Sequence, residues 1–295
     1  MAVLPFQNMG RSKDADFLRF AIPDEVVTSL SYFPSVVVRP FSVTRKYVEP
    51  DADPERIGRE LHAVIMITGQ FLQEGDRLTI TVDMVEAEGN RLLVRGTVSV
   101  PAQDLIAMRA ETISLTRKRL LPILNASAPA ASPATEPKNR EAYDLFLRSA
   151  ALSRDPLPNK QSVLLLERAV ALDPGYAPAW AALGRRYYTS FTWAGSEAEF
   201  LRSRQAYKQA LRLDPNLVEA AADVVTQRAE IGDLNAAYEE GVALAKRRPD
   251  SAAAHFALSY VLRYGGLLEE SAQECDLGRA LDPSFYNCAL TFIEL

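Results

Sequence analysis

The sequence predicts an α+β chain of two domains, a small α/β sandwich followed by an all-α solenoid of stacked helix pairs. Three observations carry that prediction. Three runs rich in β-branched residues, Ala63–Phe71, Arg77–Val85 and Leu92–Val100, are separated only by the turn clusters Glu74-Gly75-Asp76 and Glu88-Gly89-Asn90. From about residue 139 onward helical spacing takes over, punctuated by prolines at 174, 215, 249 and 283. Between the two regions, Asn125–Pro137 is an Ala/Pro/Ser tract too poor in large apolar side chains to pack, which reads as an extended linker. The boundaries are therefore 1–124, 125–138 and 139–295.

Residues 2–6 (AVLPF) form a short apolar run and read as a buried strand. Pro23-Asp24-Glu25 is a helix-start signal: proline fits the first helical position, and acids there are stabilised by the helix dipole. Val26, Val27 and Leu30 then share one face, and Val36-Val37-Val38 reads as a second buried strand. Asp53-Pro54-Glu55 repeats the start signal before Ile57 and Leu61. In the middle run of the meander, Leu78, Ile80, Val82 and Met84 alternate with Thr79, Thr81 and Asp83, so one face is core and the other meets water or a partner. A helix from Pro101 to about Ile123 carries Leu105, Ile106, Ala110, Ile113 and Leu120 on its inner stripe. The expected order is β-α-β-α-β-β-β-α: a three-stranded antiparallel meander with two further strands and three helices.

Val3-Leu4-Pro5-Phe6, Asn8, Ile57-Gly58-Arg59-Glu60-Leu61, Gly69 and Gly75-Asp76-Arg77 resemble the TolB-amino-terminal-like (FlgO-like) domain of bacterial signalling proteins. The resemblance covers roughly residues 2–124 and departs from the family at Phe20-Ala21 and Leu93, so no ligand role is carried to those positions. It implies a domain placed between an N-terminal effector (a Ser/Thr kinase, an adenylate cyclase or a winged-helix regulator) and C-terminal helical repeats. Because the domain starts at residue 2, an effector upstream of this chain is expected.

Glu167–Pro174 (ERAVALDP), Lys208–Pro215 (KQALRLDP) and Leu277–Pro283 (LGRALDP) read alike, and Leu244–Pro249 ends in Arg-Arg-Pro. The proline gaps are 41, 34 and 34, one period of 34 carrying seven extra residues. Trp180, Leu183, Gly184 and Tyr187, with later Tyr207 and Ala210, follow W-x2-L-G-x2-Y. This is similar to the tetratricopeptide repeat, in which small residues let two helices approach and proline ends the second. The expected helix pairs are 139–153/160–172, 176–190/197–213, 217–231/234–247 and 251–264/267–281. The seven extra residues, around Phe191–Gly195, are expected to lengthen the turn of the second pair. Ser284–Leu295 is read as a terminal helix, with Phe285, Ala289 and Phe292 covering the last pair.

Formal net charge is −5 with a pI near 5.3, and the parts before and after Leu124 carry −1 and −4, so nothing favours nucleic acid or an anionic membrane surface. No run of 18 apolar residues and no signal-peptide pattern appears, so direct membrane contact is not expected. The expected setting is a soluble portion of a bacterial signalling protein, on either side of the membrane. Cys275 and Cys288 read as two half-buried thiols, with close approach of the pair as the alternative. His62 and His255 lie in different domains, and nucleophile-elbow, dinucleotide and phosphate-loop motifs are absent, so no catalysis, metal or cofactor is expected. Glu49, Asp51, Asp53 and Glu55 cluster at a helix start, where a solvated acidic loop explains them better than a cation site.

The candidate site lies on the leading helices, whose repeat positions 2, 5, 9, 12 and 13 line the concave groove. These include Arg185, Tyr188 and Thr189 in the second pair, Glu219, Ala222, Thr226, Ala229 and Glu230 in the third, and Phe256, Tyr260, Arg263 and Tyr264 in the fourth. Of them Arg185, Tyr188, Thr226, Phe256, Tyr260, Arg263 and Tyr264 are taken as the peptide-binding set. Aromatic and arginine side chains beside small residues have the composition of a binding hot spot. The competing reading has Tyr260 and Tyr264 packing only against their neighbours. The lysine/asparagine clamp of carboxylate-tail-binding repeats is missing, since Ala151 and Arg185 occupy its first positions. Three functional readings stand: a scaffold binding a peptide or protein, a small-ligand-sensing region serving an upstream kinase or cyclase, and a self-association module forming a homodimer.

Overall fold

Strict alternation along the middle run buries Leu78, Ile80, Val82 and Met84 and leaves Thr79, Thr81 and Asp83 half-exposed, as a one-faced sheet requires. The computed structural model describes residues 1–10, 13–33, 36–49, 53–124 and 135–282. These form two compact units, one of residues up to 124 with 137–153 and 171–173, the other of 135–136, 154–170 and 174–282.

In the first unit, β1 (Ala2–Val3) and β2 (Gln7–Asn8) run parallel to β3 (Ile65–Glu74), which continues antiparallel into β4 (Arg77–Glu86) and β5 (Arg91–Pro101). The two extra strands expected beside the meander are thus both N-terminal. Pro5 explains why the first run is split: it has no N–H, and the next donor, Phe6 N, leaves the sheet for Arg19 O at 2.9 Å. Gly69 of β3 allows the Phe6 ring to lie against the backbone, where a Cβ would sit 2.5 Å from it.

Two expectations are corrected here. Residues 36–38 form no strand: Val37 O accepts from the Met1 amine at 2.8 Å and Arg39 N donates to Met1 O at 2.9 Å, and one residue cannot carry a ladder. Pro23 does not start its helix. Helix α1 spans Leu18–Ser31 with Pro23 inside. The carbonyl that Pro23 cannot satisfy is that of Arg19, four residues back, and Phe6 N supplies the donor instead. A short α2 (Phe41–Thr44) follows, and α3 (Pro54–Leu61) begins as expected, with Asp53 capping Glu55 N at 3.0 Å and His62 closing it in the left-handed region. Asp53 and Glu55 are thereby engaged at the helix start, Glu55 also with Arg59, while Asp51 lies outside the described residues. Helix α4 (Leu105–Leu124) packs on β5, and its Arg109 pairs with Glu25 of α1 at 2.6 Å, with both side chains about nine-tenths buried.

Helix α5 (Arg140–Ala151), expected as the leading helix of the first repeat, packs in this first unit against α1 and α4. Arg45 donates to Ala151 O at 2.7 Å, Arg140 pairs with Asp104 at 2.9 Å, and Arg148 lies over the Phe17 ring.

The second unit is a run of helical hairpins: α6 (Pro156–Leu172), α7 (Ala177–Ala194), α8 (Glu197–Leu213), α9 (Val218–Glu230), α10 (Leu234–Arg247), α11 (Ala252–Tyr264) and α12 (Leu268–Leu281). Each lies within a few residues of its expected bounds, and the arrangement is that of tetratricopeptide-like helical repeats. Small residues carry the helix contacts. Ala222, Ala229, Ala237, Ala253, Ala254 and Ala257 make most of the core shared by α9, α10 and α11. The seven extra residues do not lengthen a turn. They extend α7 to 18 residues and α8 to 17, against 13 or 14 in the following helices, and Gly195-Ser196 remains as the connection. Phe191 and Phe200, with ring centroids 5.0 Å apart, reward the added turns.

His255 packs inside its repeat as expected, its ring nitrogens 2.7 Å from Glu274 and 3.1 Å from Pro249 O. Cys275 is fully buried and disulfide-bonded, contrary to the thiol expectation. Its partner, the proposed terminal helix and most of the linker lie outside the described residues.

Candidate functional site

Helical spacing decides which side chains meet. Arg185 and Tyr188 are three apart on α7, Asp223, Thr226 and Glu230 follow one face of α9, and Phe256, Tyr260, Arg263 and Tyr264 follow one face of α11. Across these helices Glu230 Oε1 accepts from both Tyr188 and Tyr260, the latter at 3.1 Å. Tyr260 and Tyr264 hydroxyls lie 3.2 Å apart with ring centroids at 4.9 Å, and the Phe256 ring stands 5.8 Å from that of Tyr260. The Arg263 guanidinium covers Tyr260 and Tyr264 at 5.3 and 4.9 Å, within cation–π range.

At the other end, Arg185 Nε stands 3.7 Å from Asp223, whose Oδ2 also accepts from Tyr207 at 2.6 Å. Arg185 and Asp223 are each about 40% exposed (41% and 39%), so their pairing is worth at most about 1 kcal/mol. Thr226 turns its hydroxyl to Asp223 O of its own helix. All seven sequence-selected residues thus fall on the face of α7, α9 and α11, but only Tyr188, Phe256, Tyr260, Arg263 and Tyr264 join one cluster. Its hub, Glu230, is one of the expected groove positions, although the sequence gives it no place in the binding set; the second acid, Asp223, is not among those positions. The signal available for Asp223 is its place three residues before Thr226 on α9.

Glu230 Oε2 is buried and has no hydrogen-bond partner among the described residues. Burial first, and then hydrogen bonding to Glu230, pushes the Tyr188 phenol far above its ordinary range. Tyr260 moves the same way, through burial and then its bond to Tyr264. Tyr187, on burial and Glu167, and fully buried Tyr207, on burial and Asp223, are also raised. A tyrosine whose folded pKa is raised contributes stability present in full below the unfolded value of about 10, and this is lost as pH climbs toward the folded value. Alkaline titration of phenolate absorbance is therefore expected to show these four of the eleven tyrosines ionising only as the second unit unfolds.

Among the described residues no group of three or more His, Cys, Asp or Glu is arranged for a metal, and no helix is long and apolar enough to cross a membrane.

Residues 1–114, under half of the 295-residue chain, match the family described as HilA/YgeH-like transcriptional regulator, second domain. A curated relative from Rhizobium meliloti (strain 1021), named "Putative adenylate cyclase 3", is 25% identical over 205 residues. That alignment takes in 68% of this chain, which spans about a third (35%) of the relative's length. Among solved structures, MamA aligns at 16% identity over 62% of this chain and 95% of its own, with a TM-score of 0.39. Lipoprotein GNA1162 from Neisseria meningitidis aligns at 14% identity over 41% of this chain and 96% of its own, with a TM-score of 0.31.

Proposed function

We propose that this chain is a non-catalytic interaction segment of a bacterial signalling protein. In this reading residues 1–124 form a TolB-amino-terminal-like module, 125–138 a linker, and 139–295 a repeat array that binds a peptide or protein on the face of α7, α9 and α11. The observation that carries it is the cluster of Tyr188, Glu230, Tyr260, Arg263 and Tyr264, drawn from three helices onto one face. Tyrosine and arginine supply contact area at low entropic cost, and hydrogen bonding already holds the three tyrosines. The Glu230 carboxylate at the hub of the cluster favours a peptide that brings positive charge, such as a lysine or arginine side chain. The relative's name and the matched family's description both fit a signalling or regulatory parent protein.

A peptide-display selection against the full chain tests the proposal. Selected peptides are expected to carry a basic residue and to lose at least about tenfold in affinity to Tyr260→Ala or Arg263→Ala, about 1.4 kcal/mol or more. Peptides that bind both variants as tightly as the parent chain overturn the assignment.

The same two comparisons also favour a second reading, a regulatory region whose α/β module senses a small ligand and adjusts an upstream effector. That reading requires a ligand-dependent rise in the melting temperature of the full chain that Tyr260→Ala leaves intact. Self-association is the third, and light scattering with and without residues 285–295 separates it from the others.

A further inference from the structure

Helices α8, α9 and α10 bound a cleft of about 710 Å³, lined by side chains other than those of the α7, α9 and α11 cluster. Leu201 and Leu211 of α8, Val224 of α9 and Leu244 of α10 supply its apolar surface, and the short Ala221 and Ala243 leave it unfilled. Four cations reach it against one acid, Glu240, in a chain whose net charge is −5. Arg228 is held by Asp233 at 2.8 Å and by Glu240 at 2.9 Å. The other three, Arg204, Lys208 and Arg247, make no ion pair or hydrogen bond among the described residues.

The chemistry follows from that lining. Apolar walls of this volume fall within the range of small-molecule sites, and the few polar groups in such sites fix orientation. Arg204 and Lys208 are four apart on α8, so they stand together on its cleft face, while Arg247 approaches from the facing α10. Cations without counter-charges, beside an apolar floor, select an anion that carries an apolar body. We infer that this cleft is a binding site for a single-chain anionic amphiphile, with its carboxylate or phosphate at Arg204, Lys208 and Arg247 and its tail along Leu201, Val224 and Leu244.

Calorimetric titration of the full chain tests this with dodecanoate kept below its micelle concentration. Dodecyltrimethylammonium, with the same tail, and butyrate, with the same head, serve as controls. Saturable binding of about one dodecanoate per chain is expected, with both controls at least about tenfold weaker. The double charge reversal Arg204→Glu/Lys208→Glu, on exposed and half-exposed positions, is expected to weaken dodecanoate by at least about tenfold while leaving the circular dichroism spectrum unchanged. Val224→Trp fills the cleft and is expected to abolish binding. Should Val224→Trp fail to fold, the charge reversal still decides. Equal affinity for the cationic amphiphile, indifference to charge reversal, or uptake only by anionic vesicles overturns the proposal.

Discussion

Glu25→Ala is expected to destabilise the first unit by about 3–5 kcal/mol, the range for breaking a buried ion pair from one side. Glu25 and Arg109 are 7% and 11% exposed, and their 2.6 Å contact ties α1 to α4 over 84 residues of sequence. Removing the carboxylate leaves a largely buried guanidinium without the acid that it pairs with at 2.6 Å. Glu25→Gln keeps an acceptor of the same shape and is expected to cost less than half as much. Trp180 and Trp193 both lie in the second unit, so their fluorescence reports on that unit, while far-ultraviolet circular dichroism also follows the first. A urea transition lowered by circular dichroism and unmoved by fluorescence is the expected signature. A loss under about 1 kcal/mol for Glu25→Ala would show that water or a neighbour takes over from the carboxylate.

That pair also marks where the sequence stopped being legible. The local pattern makes Glu25 a first-turn acid of a helix starting at Pro23. The helix begins five residues earlier because Phe6 N relieves the orphaned carbonyl of Arg19, a contact across 13 residues that no local pattern encodes. The meander was readable because its signals are local: alternation along residues 78–84 and glycine-bearing turns, with Gly75 at φ 58° and Gly89 at φ 72°. The helix pairs were readable for the same reason, since a 34-residue period repeats its own evidence. The destination of α5 was not, because an amphipathic helix states which face it buries and not against what.

The site follows that division. Stripe positions place Tyr188, Glu230, Tyr260 and Tyr264 on one face, but the role of Glu230 as their hub emerges only when α7 and α11 bring two hydroxyls to it. Internal hydrogen bonding of those phenols does not consume their rings. It fixes the ring positions and leaves Tyr264, 47% exposed, as a rigid edge of the face.

Tyr207→Ala carries the largest expected effect in the second unit, about 3–5 kcal/mol, because a fully buried aromatic ring is replaced by a cavity between α7 and α8. Tyr207→Phe keeps the ring and removes the hydroxyl, which donates to Asp223 at 2.6 Å and also meets Arg185; both partners are about 40% exposed, so about 0.5–1.5 kcal/mol is expected. The partner position tests the cause. A Cβ at Gly184 would lie 2.9 Å from the Tyr207 ring, so Gly184→Ala alone is expected to cost about 1–3 kcal/mol through overpacking. In the Tyr207→Ala background the same methyl enters the vacated space, and its cost is expected to vanish. The coupling in this double-mutant cycle, read by urea denaturation with tryptophan fluorescence, should therefore be at least about 1 kcal/mol. Additive costs would mean that the glycine answers to the backbone of α7 rather than to this ring. The repeat signature at 180–187 would then need another physical reason.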